Sequence, residues 1–464
     1  MNAFQAASPK KKMITLLAIY CGLIGATLVS ATQSTMLPIA AQDIGGTEIY
    51  GLVNTLSGVI SVIAMPLFGY FGAKNPALKT KLFIVSLFAG AAVFLSRVFV
   101  NDMWLIVIPS ALYGFVSAGV YVLGFSLIRD IYDQKKAAMY LGFVVSIKCV
   151  AQLGGPILCG LLIDYIGWRA VNHMIWPFLL VGAVLALLGV NPTKEEVKDI
   201  SRNTKFDLPG ALFLTVFLAG FLLTLALGAS YAKFGSAASW ALIAVAVIGL
   251  AGLSVVIKKK GQESILPIAV LKDRNTLCLA ASTLAINMAG MAVNFFIPSY
   301  CIYILGSSAT QASLTVTVLS IVGIFMGPVY GKIVGKSGNA KGIMVVGYAI
   351  RTALIFGVVL ISKFFPNYTL LLVVMFFMGF GNSATSAATS IGPQMMLKDD
   401  VRVQGNSIIQ LSQNFGGSIA SSIYMMFIGM YGIEAGLVKA FTLAGVMAAV
   451  ALVMSLLLKK PKAE

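Results

Sequence analysis

The sequence predicts an all-α polytopic membrane protein of about fourteen transmembrane helices. Three observations point there. Of 464 residues, 59% are hydrophobic and only 11% charged, against roughly 25% charged in a soluble domain. Apolar runs of about 20 residues, enough for a helix to cross a ~30 Å hydrocarbon layer, recur along the whole chain. The alternation of a lipid-facing barrel strand is absent, and helices satisfy their own backbone in lipid.

The runs place spans at 13–40, 50–72, 81–100, 103–128, 138–164, 172–191, 208–229, 237–257, 276–304, 309–331, 342–362, 369–392, 405–430 and 437–458. The first follows Lys10-Lys11-Lys12, as a signal peptide would. It is too long for one and is expected to be a retained span. The five cysteines (Cys21, Cys149, Cys159, Cys278, Cys301) lie in apolar segments without metal-ligand spacing, and His173 is the single histidine. They read as small buried hydrophobes, with no metal or cofactor implied.

The net charge of +17 would suggest nucleic acid in a soluble protein, but its placement argues otherwise. Of 33 Lys and Arg, 26 fall in the termini and loops of one side. Five (Arg97, Arg169, Lys233, Lys363, Lys439) fall on the other, and two lie inside spans. The positive-inside rule then puts both termini in the cytoplasm of a cell-membrane protein, with the surplus charge suited to anionic headgroups. Two charged loops, 192–207 and 258–275, bracket two of the spans. The expected organisation is a six-helix bundle in 1–191, two inserted helices with their loops in 192–275, and a second six-helix bundle in 276–464. Such internal repetition is common in membrane carriers.

Several stretches carry a family resemblance. Leu37-Pro38-Ile39-Ala40-Ala41-Gln42-Asp43-Ile44-Gly45 ends the first span. Gly142, Ala151, Gly155-Pro156 and Gly160 punctuate the fifth, followed by Trp168-Arg169. Asp207-Leu208-Pro209-Gly210 opens the first inserted helix, and Glu263 through Pro267 precedes the ninth span. Together these resemble the major facilitator superfamily, in its fourteen-span drug:proton antiporter branch, with Ala151 where the fifth-helix motif usually has glycine. The resemblance implies the major-facilitator fold and secondary transport by alternating access. Physically, small residues let helices approach closely and proline bends a helix by removing a donor. A Gly-Pro bend is therefore expected to shape the contact between the halves.

Departures from that pattern matter as much. The loop after the second span reads Gly69-Tyr70-Phe71-Gly72-Ala73-Lys74-Asn75-Pro76, with Ala73 where the family carries an acidic residue. Ser110, before Tyr113-Gly114, stands where the fourth helix of such proteins has an intramembrane arginine. The first span reads Ser30-Ala31-Thr32-Gln33-Ser34-Thr35 in place of the family's embedded aspartate. Each of the sixteen acidic residues falls in a loop or at a span end.

Two cations, Lys148 and Arg351, fall well inside spans. Lys148 is about 15 Å deep at 1.5 Å per residue. A charge at the bilayer centre costs at least ~2.5–3.5 kcal/mol, and no embedded carboxylate is expected to offset it. The partner this suggests is an anion from outside the protein. Lys148 shares a helix face with Gln152 and Gly155. Snorkelling or a backbone-carbonyl partner would also accommodate it, and Arg351 would also suit packing or lipid contact. Other candidate path residues are Gln33; Tyr113, Ser117 and Tyr121 at helical spacing; Asn287, Met291 and Asn294; Asn382 and Ser386; and Asn406, Gln410, Gln413 and Asn414. Such side chains also bridge helices without touching substrate.

The expected cargo is a small amphipathic organic anion, exported by default, with a proton or counter-anion as coupling partner and the bilayer as surroundings. Uptake of an organic carboxylate such as a bile acid, multidrug/proton antiport and lipid flipping remain alternatives. A sensor would need an output domain, and a membrane enzyme an Asp pair, His-Glu-x-x-His or a Ser/His dyad; none is visible. No Walker loop suggests ATP drive. A monomer is expected, and no nucleic-acid partner.

Overall fold

The computed structural model describes residues 3–74, 76–191, 207–227, 235–261, 264, 273–337, 340–397 and 399–459. Within its helices some side chains lie outside the description, including those of residues 69–76 and of Gly142, Asn406, Gln410 and Asn414. The Glu263–Pro267 stretch is likewise outside it apart from Ser264.

After a short turn, Ala3–Ala6, the described residues form fourteen long helices. These are α1 (Pro9–Ile44), α2 (Leu52–Lys74), α3 (Pro76–Ser96), α4 (Trp104–Ile131), α5 (Gln134–Tyr165), α6 (Arg169–Leu188), α7 (Leu208–Leu227) and α8 (Ala237–Lys260). Next come α9 (Arg274–Met291, continuing through a π-helical turn, Ala292–Phe296, into Ile297–Tyr303) and α10 (Ala309–Ser337). The last are α11 (Ala340–Phe364), α12 (Tyr368–Met396), α13 (Asp399–Tyr431) and α14 (Ile433–Leu456). Among the described residues there is no strand. Eleven helices are long and apolar enough to cross a membrane. The shorter apolar stretches Leu52–Ser61, Val150–Tyr165 and Phe415–Tyr431 belong to α2, α5 and α13. The all-α class stands as predicted.

Local chemistry sets the helix ends. Ser8 accepts from Lys11 N at 3.4 Å and Pro9 opens α1, where a missing donor is tolerated. Asp273 caps α9 by accepting from Thr276 N at 2.8 Å. Gly432, at φ 79°, provides the left-handed turn between α13 and α14. The final carbonyls of α14 gain cationic donors. Lys341 Nζ reaches Leu456 O and Leu458 O at 2.8 and 2.7 Å, and Arg274 Nη2 reaches Leu457 O at 3.1 Å, the favourable sign for a helix C-terminus.

The chain divides between Phe206 and Asp207 into two compact units. In the first, α1 packs on α5 and α6, α2 on α4, and α3 on α4 and α6. In the second, the same scheme recurs eight helices later: α9 on α13 and α14, α10 on α12, and α11 on α12 and α14. The inserted pair, α7 and α8, belongs to the second unit, with α7 against α13.

Glycines bring paired helices into backbone contact. A Cβ on Gly114 of α4 would stand 2.2 Å from Ser57 O of α2. In the second unit a Cβ on Gly379 of α12 would stand 2.7 Å from Leu319 O of α10. One on Gly249 of α8 would stand 2.2 Å from Phe217 N of α7. With little hydrophobic drive between helices in lipid, such close approach supplies the packing energy.

Candidate functional site

Two of the stretches that carried the resemblance meet at the end of α1. The Asp43 carboxylate accepts from Trp168 Nε1 at 2.8 Å and Arg169 Nη1 at 2.9 Å. Arg169 also donates to Val100 O at 3.0 Å and Asn101 Oδ1 at 3.1 Å. This knot ties α1, the α3–α4 connection and α6 together. The Asp207-Leu208-Pro209-Gly210 stretch is explained locally. Asp207 accepts from Gly210 N at 2.9 Å and pairs with Lys260 at 3.1 Å, fastening the start of α7 to the end of α8. A Cβ on Gly210 would fall 2.0 Å from the Asp207 carboxylate. Lys79 and Asp130 form a further ion pair between the ends of α3 and α4, with Ser126 also accepting from Lys79.

Lys148 of α5 is half-buried, its Nζ 4.9 Å from the ring centroid of Tyr121 on α4. The ring face supplies negative potential to the ammonium. Tyr121, also half-buried, stands edge-on to Phe125 at 6.2 Å. The rest of the α4 stripe faces inward. Tyr113 is buried, donates to Ala26 O of α1 at 3.4 Å and packs edge-on against Phe94 at 5.1 Å. Ser117 donates to Gly114 O of its own helix at 3.0 Å. The structure thus brings Lys148 and Tyr121 together and engages the Tyr113 and Ser117 hydroxyls elsewhere.

The rest of the α5 motif has a packing role within the first unit. Gly155 is buried, and a Cβ there would lie 3.2 Å from Ala31 Cβ of α1. Ala151, Pro156 and Gly160 are buried and Gln152 is exposed. Lys148, Gln152 and Gly155 therefore share a helix face but not an environment. Ala151, Gly154 and Gly155 border an apolar groove of about 400 Å³ with Ile24 and Leu28 of α1 and Phe178 of α6. Lys148 does not line it. Gln33 of α1 is 5% exposed, and its Nε2 has no hydrogen-bond partner among the described residues.

In the second unit, Arg351 of α11 is 5% exposed, which removes lipid contact from its expected roles. Its Nη2 donates to Ile286 O of α9 at 3.4 Å. Two glycines make room for it. A Cβ on Gly290 would lie 3.1 Å from Nη2, and one on Gly381 of α12 would lie 2.9 Å from Cγ. The position of Gly290 also neighbours Asn294 Nδ2, at 3.9 Å from that Cβ, so Arg351 and Asn294 converge on one spot.

The expected Asn287–Met291–Asn294 stripe coincides with the incompletely buried positions of this part of α9, the other residues from Ala285 to Phe296 being buried. Asn287 and Met291 are half-buried, and Asn294, inside the π-helical turn Ala292–Phe296, is exposed. The two asparagine amides donate to Thr283 O at 2.8 Å and Gly290 O at 3.0 Å of the same helix. Asn382 is half-buried; Ser386 and Gln413 are exposed.

One expectation fails. Arg97, counted with the loop charges of the side opposite the termini, is fully buried just past the end of α3, its guanidinium 4.5 Å from the Phe94 ring centroid. The available signal was an aromatic residue one turn earlier in the same apolar run. Among the described residues the carboxylates sit at helix ends or in loops, while three cations, Arg97, Lys148 and Arg351, lie among the helices.

Long helices in two units with one repeated pairing scheme define a polytopic helical membrane protein with internal repetition. A family model described as Major Facilitator Superfamily matches residues 19–258 and 279–464, and the chain belongs to that superfamily. It is 24% identical to Multidrug resistance protein 3 of Bacillus subtilis, covering 91% of this chain and 81% of the relative. It is also 24% identical to the putative multidrug resistance protein MdtD of Escherichia coli, covering 89% and 85%. A third relative, the Acurin A biosynthesis cluster MFS-type transporter of Aspergillus aculeatus, is 24% identical over 75% of this chain and 63% of its own length. Among solved structures, a peptide transporter POT in complex with sulfate matches with TM-score 0.68 at 12% identity, over 98% of this chain and 95% of that one. The nucleoside transporter NupG matches with TM-score 0.64 at 12% identity, over 96% and 100%. The family and these relatives are transporters.

Proposed function

We propose that this major-facilitator transporter moves a small amphipathic organic anion by alternating access between its two six-helix repeats, in the export direction. The observation carrying the reading is Lys148, a half-buried ammonium inside α5 against the ring of Tyr121, in a chain whose described carboxylates all lie at helix ends or in loops. Lys148 offers an anionic group charge attraction, while the aromatic face suits an apolar body. Arg351 with Asn294 is the corresponding candidate in the second unit. On this reading the protein lies in the cell membrane as a monomer with both termini in the cytoplasm, and the coupling partner is a proton or a counter-anion. The relatives named for multidrug resistance favour a second reading, export of varied drugs. Thermal melting of the purified protein with naphthalene-2-sulfonate, cholate, ethidium and phospholipid tests both. Stabilisation by the two anions supports the first reading. Stabilisation by ethidium alone overturns it in favour of cationic drug export.

A further inference from the structure

The end of the first unit that contains Asp43 holds buried hydrogen-bond donors without acceptors. Arg97 has no exposed surface, and its Nε, Nη1 and Nη2 lack partners among the described residues. Asn54 Nδ2 and Gln33 Nε2 are also buried and without partners. A guanidinium left so is costly, because burying a charge is compensated only by pairing or hydrogen bonding.

Helix register puts Arg97 and Asn54 near one level and Gln33 about a turn further along. Phe94 of α3 and Tyr113 of α4 are in ring contact, so Arg97 lies one turn beyond Tyr113 toward the Asp43 end. Gly114 of α4 is level with Ser57 of α2, so Asn54 lies one turn beyond in the same direction. Tyr113 reaches Ala26 of α1, and Gln33 follows two turns further along. Helix α4 packs against α1, α2 and α3. By register, donors from one loop and two helices fall within about a turn of the level of Ser110 on α4, itself fully buried and turned back to Val107 O.

We propose that this level of the first unit is a binding site for a small inorganic anion of halide size, with Arg97 as the charged ligand and Asn54 and Gln33 as neutral donors. Charge-assisted N–H donors are what such an ion requires. The backbone contact of α2 with α4 at Gly114 and the packing of Arg97 against Phe94 are close, which favours a small ion over an organic molecule. The site is separate from Lys148: Tyr113 and Tyr121 are eight residues apart on α4, about 12 Å at 1.5 Å per residue. It makes an inorganic anion a structural partner of the protein whether or not the cargo is anionic.

Melting the purified full-length protein in sodium chloride and in sodium gluconate, at equal ionic strength, tests the proposal without any substrate. A saturable rise in melting temperature with chloride is expected, since a ligand that binds only the folded state stabilises it. Lys148→Gln keeps that rise and Arg97→Gln loses it. Asn54→Ala, which leaves the charge in place, shifts the half-saturating chloride concentration several-fold higher and covers the case in which Arg97→Gln does not fold. The proposal is overturned if wild-type protein melts identically in the two salts, if cholate stabilises it through Arg97 where chloride does not, or if Arg97→Gln or Asn54→Ala responds to chloride as wild type does.

Discussion

Replacing Lys148 by Gln removes one charge from α5 and leaves a polar side chain that still donates a hydrogen bond. Opposite unit charges about 4 Å apart at an effective dielectric of ~20 attract by about 4 kcal/mol. Lys148 is half-buried, so solvent screens part of this, and the amide recovers ~1 kcal/mol as a neutral hydrogen bond. The expected loss for an anionic substrate is about 2–3 kcal/mol, or roughly 30- to 150-fold in kcat/KM. Stability moves less. The Tyr121 contact at 4.9 Å is worth roughly 0.5–2 kcal/mol, and its loss is offset by removing an embedded charge that costs up to ~2.5–3.5 kcal/mol at the bilayer centre and less where half-buried. The assay is initial-rate transport of naphthalene-2-sulfonate, cholate and ethidium in proteoliposomes. The two anions fall together, ethidium is unaffected, and Lys148→Arg stays within about tenfold of wild type. Unchanged anion rates in Lys148→Gln would refute the reasoning.

Two further substitutions probe the scaffold. Gly114→Ala places a methyl 2.2 Å from Ser57 O, a backbone atom that no rotamer change can move. Overpacking costs typically ~1–3 kcal/mol and more where backbone must shift, so the melting temperature falls steeply. Gly154→Ala on α5, with nothing within 4 Å of the new methyl, leaves it unchanged within a degree or two and is the control. Asp207→Ala removes the cap on α7 and the partner of Lys260. The carboxylate side chain is 3% exposed and the ammonium 34%, so Lys260 recovers hydration and the loss is about 2 kcal/mol, most of it the cap, read as lower thermal stability in detergent.

Helix positions were largely legible because a run of about 20 apolar residues has few other uses. Their ends were less so: α1 and α13 extend beyond their apolar runs, since a helix need not stop where the hydrocarbon does. The ion pairs were legible only as isolated charges. Asp43 with Arg169, Asp207 with Lys260 and Lys79 with Asp130 each join residues distant in sequence. The asparagine positions on α9 were legible from helical spacing, which matches the incompletely buried line through Asn287, Met291 and Asn294. Arg97 was misassigned because its environment is tertiary. Loop counting treats a cation at the edge of an apolar run as solvated, whereas its burial depends on Phe94 of its own helix and on the helices packed around it. Ser110 lacks the guanidinium that the resemblance led one to expect on the fourth helix, and the chain carries one on α3 at nearly the same level.

The sign of the buried charge bears on energetics as well as on recognition. On the proposed reading, an anion bound beside Lys148 makes the loaded site less positive than the empty one by one charge. Each complete cycle carrying a monoanion outward, without an exchanged ion, moves one negative charge across the membrane. A potential of 100 mV, negative inside, favours that movement by about 2.3 kcal/mol, roughly a 50-fold outward concentration ratio. Export then needs no titratable acid, which reconciles the absence of an aspartate from the middle of α1 with an export function. The reading requires the rate of naphthalene-2-sulfonate export from proteoliposomes to follow a potassium–valinomycin potential at constant pH. A rate set by the pH gradient alone would mean that a proton is carried despite the missing aspartate, and that the positive interior serves binding without coupling transport to the potential.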